Sequence, residues 1–321
     1  MARGLFLKKF FLITTPSGLS GHLPKGRLCV EKIRASLGGG PDKKTLAVVG
    51  VAFIDGQRSG EGVILIKMFS SFLIVLTFIS IFPVPEKFLP DWSEKNLKFF
   101  SVMLPVVGIL FGLSWQGIFF VLEKISGLSE ISRGFLFMLL TLILTGGLHM
   151  DGFMDTCDAI FSRRDRETRL KILSDTHAGS FAVIGCCAVM MSKTFLFAEL
   201  LSIKNNNHEI IFFIPVLSRL GMSLLLNNLP FAKTGGLAVI LGSSSQRRKG
   251  DGIFLIALMI LLGFKTFGLI KIFPVIFLLS LVFWGWVCKK IFGGITGDLL
   301  GAFVEFSEVI MLGGAVIMSC I

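Results

Sequence analysis

The fold is decided by the stretch TGGLHMDGFMDTCDAIFSRRDRETRLKILSDTHAGSF, residues 145–181, which places a charged segment between two apolar runs. Within it, Asp151, Asp155 and Asp158 are spaced by four and three residues. On a helix these positions share one face, about one turn apart. Basic residues follow at once: Arg163, Arg164, Arg166, Arg169 and Lys171. The stretch therefore predicts an acidic helix face and a basic loop at the end of a membrane span.

The composition of the whole chain is that of a membrane protein. Hydrophobic residues make up 53% and charged residues 17%, whereas soluble domains carry about 25% charged residues. We predict an all-α, polytopic integral membrane helix bundle with about six to eight membrane segments. Lipid is therefore an expected partner.

Apolar runs define the predicted spans. The first run, 68–82, is shorter than the roughly 20 residues that cross a bilayer, and Pro83 and Pro85 close it. This predicts a short span or a re-entrant segment. The remaining predicted spans are 101–122, 131–148, 179–201, 210–226, 253–270, 272–287 and 303–320.

Three polar segments that carry Lys and Arg, 151–178, 227–252 and 289–301, are separated by pairs of spans. They are predicted to lie on one side of the membrane, and positive charge favours the cytoplasm. Residues 1–67 hold eleven Lys or Arg against four Asp or Glu, so most of the net charge of +11 is there. The rest is ordinary for basic cytoplasmic loops, and no nucleic-acid partner is expected.

The three aspartates suggest a metal site. Carboxylates held close together repel one another, and a divalent cation removes that repulsion. Mg²⁺ takes oxygen ligands, typically one or two carboxylates together with substrate phosphates. We predict Asp151, Asp155 and Asp158 as magnesium ligands. The alternative is a solvated helix face paired with the downstream arginines.

Four basic residues are candidates for substrate binding. Guanidinium groups match phosphate oxygens, so Arg163 and Arg164, together with Lys171, are predicted to bind phosphate. The alternative for these three is a role only as topology anchors. Arg219 lies inside a predicted span, and intramembrane arginine usually faces a polar cavity. We predict that it binds substrate or forms an ion pair.

Two further segments add candidates. His149 and His177 bracket the acidic cluster, and His149 is a candidate general base; the alternative is a hydrogen-bonded structural histidine. The glycine-dense segment 293–301 suits close approach to a phosphate. It carries Asp298, a candidate substrate contact, and Glu305, a candidate metal ligand, follows seven residues later. The alternative there is tight helix packing through small residues.

At these residues the sequence resembles the cobalamin synthase family (adenosylcobinamide-GDP ribazoletransferase). The similarity covers about residue 68 to the C-terminus, and residues 1–67 have no counterpart in the family pattern. Several ordered motifs match together, which is more specific than any one of them. The matching pieces are TGGLHMDGFMDTCDA from Thr145, LSDTHAGSFAVIG from Leu173, LSRLGM from Leu217, GGITGDLLGAFVEFSE from Gly293, LTFISIFPVP from Leu76 and LPVVGILFG from Leu104.

The resemblance implies an activity. The family transfers the cobinamide phosphate of adenosylcobinamide-GDP to α-ribazole, or to its 5′-phosphate, and GMP leaves. It also implies Mg²⁺ as cofactor and a multi-pass protein of the cytoplasmic (inner) membrane whose active-site loops face the cytoplasm. Whether the chain assembles with copies of itself or with other cobalamin-pathway enzymes is left open.

The resemblance and the residues lead to one expected mechanism. Asp151, Asp155 and Asp158 hold Mg²⁺ against the substrate's pyrophosphate, and the basic loop neutralises its phosphates. Either a carboxylate or His149 takes the proton of the attacking hydroxyl. Residues 68–321 are then the membrane-embedded catalytic domain, and residues 1–67 a basic extension that is disordered or reflects a misassigned start.

Two other functions are weighed against this one. A CDP-alcohol phosphotransferase-like lipid synthase also uses aspartates along helices, but its signature continues with Ala-Arg, whereas Asp151-Gly152 is followed by Phe-Met-Asp-Thr. A membrane transporter with a carboxylate-lined path often has inverted repeats, and none is evident in the sequence. Transporter carboxylates also favour the midplane, whereas these aspartates lie at a span end.

Overall fold

A computed structural model describes residues 60–203, 209–244 and 272–320. These residues form helices and the turns between them, and they contain no β-strand. The helices are α1 Gly60–Ile79, α2 Glu94–Leu97, α3 Phe100–Glu123, α4 Glu130–Thr145, α5 Leu148–Phe161, α6 Arg166–Ile172, α7 Ser180–Ser202, α8 Glu209–Asn228, α9 Leu237–Ser244, α10 Ile272–Val287 and α11 Gly297–Cys320. A 3₁₀ turn, Glu86–Phe88, follows α1, and a π-helical turn, Cys288–Phe292, extends α10.

Six of these helices are long and apolar enough to cross a membrane: α1, α3, α7, α8, α11, and α10 with its π-helical turn. The pair α4 and α5 passes the same test as one bent segment, which makes seven. The prediction of an all-α polytopic bundle is confirmed. The predicted span 253–270 lies outside the described residues.

The first helix is longer than the sequence analysis predicted. It begins at Gly60 and runs for 20 residues, which is long enough to cross a bilayer. The apolar residues Val63 to Ile66 extend it before Lys67. The helix therefore starts before the predicted run 68–82 and is long enough for a full span, and the expected boundary between residues 67 and 68 falls inside α1.

The predicted span 131–148 ends early, at a sharp bend. Gly146 and Gly147 have positive φ angles of 61° and 74°, a conformation that glycine adopts at little cost. The axes of α4 and α5 meet at 95° across this break. As a result, α5 leaves the line of α4 and carries the acidic face of the chain.

Small residues allow the helices to pack closely. A Cβ on Gly108 of α3 would lie 3.1 Å from the carbonyl oxygen of Pro215 on α8, and a Cβ on Gly112 would lie 2.5 Å from that of Phe212. These two glycines therefore allow α3 and α8 to come into close contact. In the same bundle α4 packs against α7, and α5 packs against both α7 and α11.

Candidate active site

The three aspartates lie on one helix, as predicted. Asp151 is in the first turn of α5, and Asp155 and Asp158 follow at helical spacing. Asp151 is exposed, whereas Asp155 and Asp158 are half-buried. The exposure of the acidic face therefore decreases along α5, from Asp151 to the two later aspartates.

The start of α11 lies directly against α5. A Cβ on Gly152 would lie 2.7 Å from the carbonyl oxygen of Asp298, and a Cβ on Gly301 would lie 3.3 Å from the Cα of His149. Glycine at position 152 is what allows the two backbones to come this close. The packing brings Asp298 next to the acidic helix, so the last glycine-rich loop and the aspartates belong to one region.

The basic loop between α5 and α7 lies at the same end of the bundle. Arg163, Arg164 and Lys171 are exposed. Arg163 has a φ of 54°, in the left-handed region that a side chain disfavours. The guanidinium of Arg166 lies against the backbone of Gly293, at the position that a side chain there would occupy.

Three predicted loops meet at this end. The ammonium group of Lys233 donates a hydrogen bond to the hydroxyl of Ser174. The N–H of Ile295 donates to the carbonyl of Pro230 at 2.8 Å, and the N–H of Ala232 donates to the carbonyl of Ile295 at 3.0 Å. The described parts of segments 151–178, 227–252 and 289–301 thus lie on one side of the bundle. The basic run 247–249 lies outside the described residues.

Two exposed aspartates shape the basic loop. Asp165 caps α6 by accepting hydrogen bonds from the hydroxyl and the backbone N–H of Thr168, and these bonds hold the pKa of Asp165 below its usual value. Asp175 Oδ1 lies 2.7 Å from His177 Nδ1. The hydrogen bond from the His177 side chain lowers the pKa of Asp175.

A buried ion cluster lies inside the bundle. Lys193 Nζ is 2.7 Å from Oε2 of Glu305 and 2.7 Å from Oε2 of Glu308. Arg219 forms an ion pair with the same Glu308, and its guanidinium carbon is 4.7 Å from the centre of the Phe111 ring. The four charged residues are at most 5% exposed. Arg219 therefore forms the ion pair that was one of its two predicted roles.

Two predicted metal ligands, Asp158 and Glu305, are held by identified groups of the protein, and Asp155 also interacts within the chain. Glu305 is in the ion cluster, and Asp158 accepts backbone N–H groups from Gly179 at 2.6 Å and from Ala182 at 2.9 Å. Within the described ranges, no group of three or more His, Cys, Asp or Glu side chains is placed to hold a metal ion.

The candidate base His149 is buried, with 1% of its surface exposed. Its Nε2 has no hydrogen-bond partner among the residues that the structure describes. An exposed carboxylate on α5 is therefore more accessible to a substrate than this imidazole.

Lys193 was missed by the sequence analysis, which treated 179–201 as an ordinary span. A signal was available, because an ionisable residue inside a membrane segment is rare and normally paired. The two glutamates of the last span, Glu305 and Glu308, supply that pair. Which helices would meet could not be derived from the spacing.

Comparison with known proteins gives consistent matches. The family model described as cobalamin-5-phosphate synthase matches residues 71–316. A protein of Clostridium perfringens (strain SM101 / Type A), named adenosylcobinamide-GDP ribazoletransferase, is 30% identical over 75% of this chain and 96% of its own length. Proteins of the same name from Geobacillus sp. (strain WCH70) and Lachnoclostridium phytofermentans are 33% and 31% identical, over 74% and 79% of this chain and 92% and 95% of their own lengths. No solved structure matches the chain.

Proposed function

The chain belongs to the cobalamin-5-phosphate synthase family, and from this premise we propose that it is an adenosylcobinamide-GDP ribazoletransferase. The enzyme transfers the cobinamide phosphate of adenosylcobinamide-GDP to α-ribazole or its 5′-phosphate. The observation that carries this proposal is the convergence of an acidic helix, a basic loop and the start of α11 at one end of a membrane bundle. The curated relatives match nearly all of their own length to this chain.

The reaction is a phosphoryl transfer. A ribose hydroxyl of the acceptor attacks the phosphorus that bears the cobinamide, and the bond from that phosphorus to the oxygen bridging it to GMP breaks. GMP leaves with the bridging oxygen, and the proton of the hydroxyl passes to a base. Such reactions need positioning and neutralisation of charge more than covalent catalysis by the protein.

The described residues fit a magnesium ion that is bound jointly by the protein and the substrate. Asp151 and Asp155 offer hard oxygen ligands one helical turn apart. Since no three-ligand group is present in the described part of the chain, substrate phosphates and water would complete the shell. When bound, Mg²⁺ neutralises negative charge on the diphosphate. We leave Asp158 and Glu305 out of the proposed metal set because Asp158 accepts the backbone N–H groups of Gly179 and Ala182, and Glu305 is buried in an ion pair with Lys193.

The remaining candidates have separate roles in this proposal. Arg163 and Arg164, with Lys171 on α6, bind the phosphates from the basic loop. Asp298 orients substrate from the first turn of α11. A carboxylate of the exposed α5 face, rather than the buried His149, takes the proton from the attacking hydroxyl.

The location follows from charge and hydropathy. The described residues contain six or seven candidate membrane segments, so the chain is a multi-pass membrane protein. The end of the bundle that carries the basic loop faces the cytoplasm under the positive-inside rule. We therefore propose that the protein lies in the cytoplasmic membrane, with its site on the side from which a nucleotide-activated substrate arrives.

The test is GMP release by purified protein in detergent. Adenosylcobinamide-GDP and α-ribazole are supplied with and without Mg²⁺, and product is followed by chromatography. Asp151→Asn is expected to lower the rate by about a hundredfold or more. Glu199→Gln, which removes an exposed carboxylate from the far end of α7, is the matched control and should leave the rate unchanged.

Two results would contradict the proposal. One is near-normal magnesium-dependent GMP release by folded Asp151→Asn protein. The other is absence of GMP release by the wild type together with CMP release from a CDP-alcohol and a lipid acceptor, which would favour the lipid synthase.

A further inference from the structure

Asp158 stands apart from the other two aspartates of α5. It lies in the last turn of the helix, and its two carboxylate oxygens accept different backbone N–H groups of another helix. Oδ2 accepts from Gly179 at 2.6 Å and Oδ1 accepts from Ala182 at 2.9 Å. Gly179 is the N-cap residue of α7, and it has no side chain to cap that helix.

Asp158 therefore supplies the cap that α7 lacks. The first N–H groups of a helix have no partner within the helix, and a carboxylate there is favoured by the helix dipole. In most helices the capping oxygen comes from the N-cap residue itself. Here it comes from 21 residues earlier in the chain, so the cap also joins two helices.

The Asp158 carboxylate occupies the space that a side chain at position 179 would need. A Cβ on Gly179 would lie 2.7 Å from Asp158 Oδ1 and 2.9 Å from its Cγ. The φ of Gly179 is −85°, which any residue can adopt. Any side chain larger than hydrogen would therefore displace the carboxylate, and this gives a second way to break the same contact.

The contact closes the basic loop. The loop leaves α5 one turn after Asp158 and ends at Gly179, so one carboxylate holds both of its ends. The loop has two further attachments, Arg166 against Gly293 and Lys233 to Ser174. With the loop held in this way, the exposed Arg163 and Arg164 keep a defined position relative to Asp151.

We infer that Asp158 is a positioning residue, which closes the basic loop onto α7 and so sets the place where that loop meets the substrate's phosphates. It acts through the loop and does not bind the metal. This inference rests on the proposed function for its kinetic consequence, but the closure itself is a property of the chain without substrate.

The test compares Asp158→Ala with Gly179→Ala, since both should open the same contact. Hydrogen–deuterium exchange is measured over residues 162–182 of the full chain in detergent, without substrate. Gly127→Ala is the control, because a Cβ there meets nothing within 4 Å. Both test variants should exchange faster in this segment by about tenfold, and Gly127→Ala should not.

Kinetics supply the second readout. Both test variants are expected to raise the KM for adenosylcobinamide-GDP by about tenfold with a much smaller effect on kcat. The magnesium concentration that gives half the maximal rate should stay unchanged. The double variant should be no worse than either single variant, since both remove one contact.

Two results would overturn the inference. One is unchanged exchange over residues 162–182 in both variants. The other is a tenfold or larger shift in the magnesium requirement for Asp158→Ala but not for Gly179→Ala. If Asp158→Ala does not fold, Asp158→Asn is used in its place. It keeps one acceptor oxygen, so residues 162–182 should exchange at a rate between those of the wild type and Gly179→Ala. The same two results would overturn the inference. A wild-type chain that releases no GMP would refute the proposed function, while the exchange experiment would still decide the closure.

Discussion

Lys193 Nζ lies 2.7 Å from Glu308 Oε2, although 115 residues separate the two along the chain. The same ammonium group lies 2.7 Å from Glu305, and Arg219 binds the other oxygen of Glu308. Two acids and two bases leave the cluster neutral, which is the condition for charge inside a membrane bundle. The cluster joins α7, α8 and α11, and α11 carries Asp298 to the acidic helix.

Removing the Lys193 charge should destabilise the fold. Lys193→Met leaves two buried glutamates with one cation between them, and breaking a buried pair in this way costs about 3–5 kcal/mol. We expect a lower midpoint of thermal unfolding in detergent, read by tryptophan fluorescence. Lys193→Arg, which keeps the charge, should lose much less. Equal unfolding midpoints for wild type and Lys193→Met would contradict the structural role of the cluster.

The close packing of α4 against α7 gives a second prediction. A Cβ on Gly134 would collide with the carbonyl of Thr194 and lie 2.8 Å from the N atom of Ala198. Gly134→Ala should therefore lower the free energy of unfolding by about 1–3 kcal/mol. Gly117→Ala is the matched control, because a Cβ there meets nothing within 4 Å. The prediction fails if the two alanine variants unfold at the same temperature.

Replacing Arg163 should weaken substrate binding without lowering the stability of the fold. Its φ of 54° is strained for a side chain, so Arg163→Gly removes the cation while easing the backbone. We expect an unfolding midpoint at or above that of the wild type. The KM for adenosylcobinamide-GDP should rise by about tenfold, since a charge-assisted bond to phosphate is lost.

The same loop offers a matched comparison for Arg163. Arg163→Lys keeps the charge, loses the planar fork and retains the backbone strain. Its KM should lie between those of the wild type and Arg163→Gly. An unchanged KM in Arg163→Gly would remove Arg163 from the proposed phosphate site.

The cap at Asp165 should respond to acid. Hydrogen bonds from Thr168 depress the pKa of Asp165 in the folded chain, so the cap is fully present above the unfolded value of about 3.9. It is lost as the pH falls through the lower folded pKa. The protection factor of the Thr168 amide, corrected for the intrinsic exchange rate, should fall over that range.

Thr168→Val tests the assignment of this transition. The variant removes the hydroxyl donor and leaves the backbone donor in place. The pKa of Asp165 should then rise towards its usual value, and the loss of protection should move to higher pH. A transition at the wild-type pH would mean that a different group controls it.

The membrane fold and the acidic helix could be predicted because they depend on local composition and period. A run of about 20 apolar residues crosses a bilayer whatever surrounds it, and Asp151, Asp155 and Asp158 share a face on any helix. Errors arose where tertiary context extended or bent a segment. The first helix starts at Gly60, and Gly146 and Gly147 turn α5 by 95°.

The spacing of the carboxylates in the sequence could not predict which of them has which role. Asp158 and Glu305 have the same chemistry as Asp151, and each fits a metal-ligand pattern. Their partners, Gly179 and Lys193, are 21 and 112 residues away along the chain. The local sequence does not determine which helices pack against each other.

By itself, then, the sequence determined the all-α membrane architecture, the family and the region in which chemistry is concentrated, because hydropathy, helical period and ordered motifs are properties of contiguous residues. Tertiary structure alone decided that Lys193 neutralises Glu305 and Glu308, and that Asp158 caps α7. Packing is responsible: a buried charge or an open helix end must find its partner wherever the folded chain brings one within hydrogen-bonding distance.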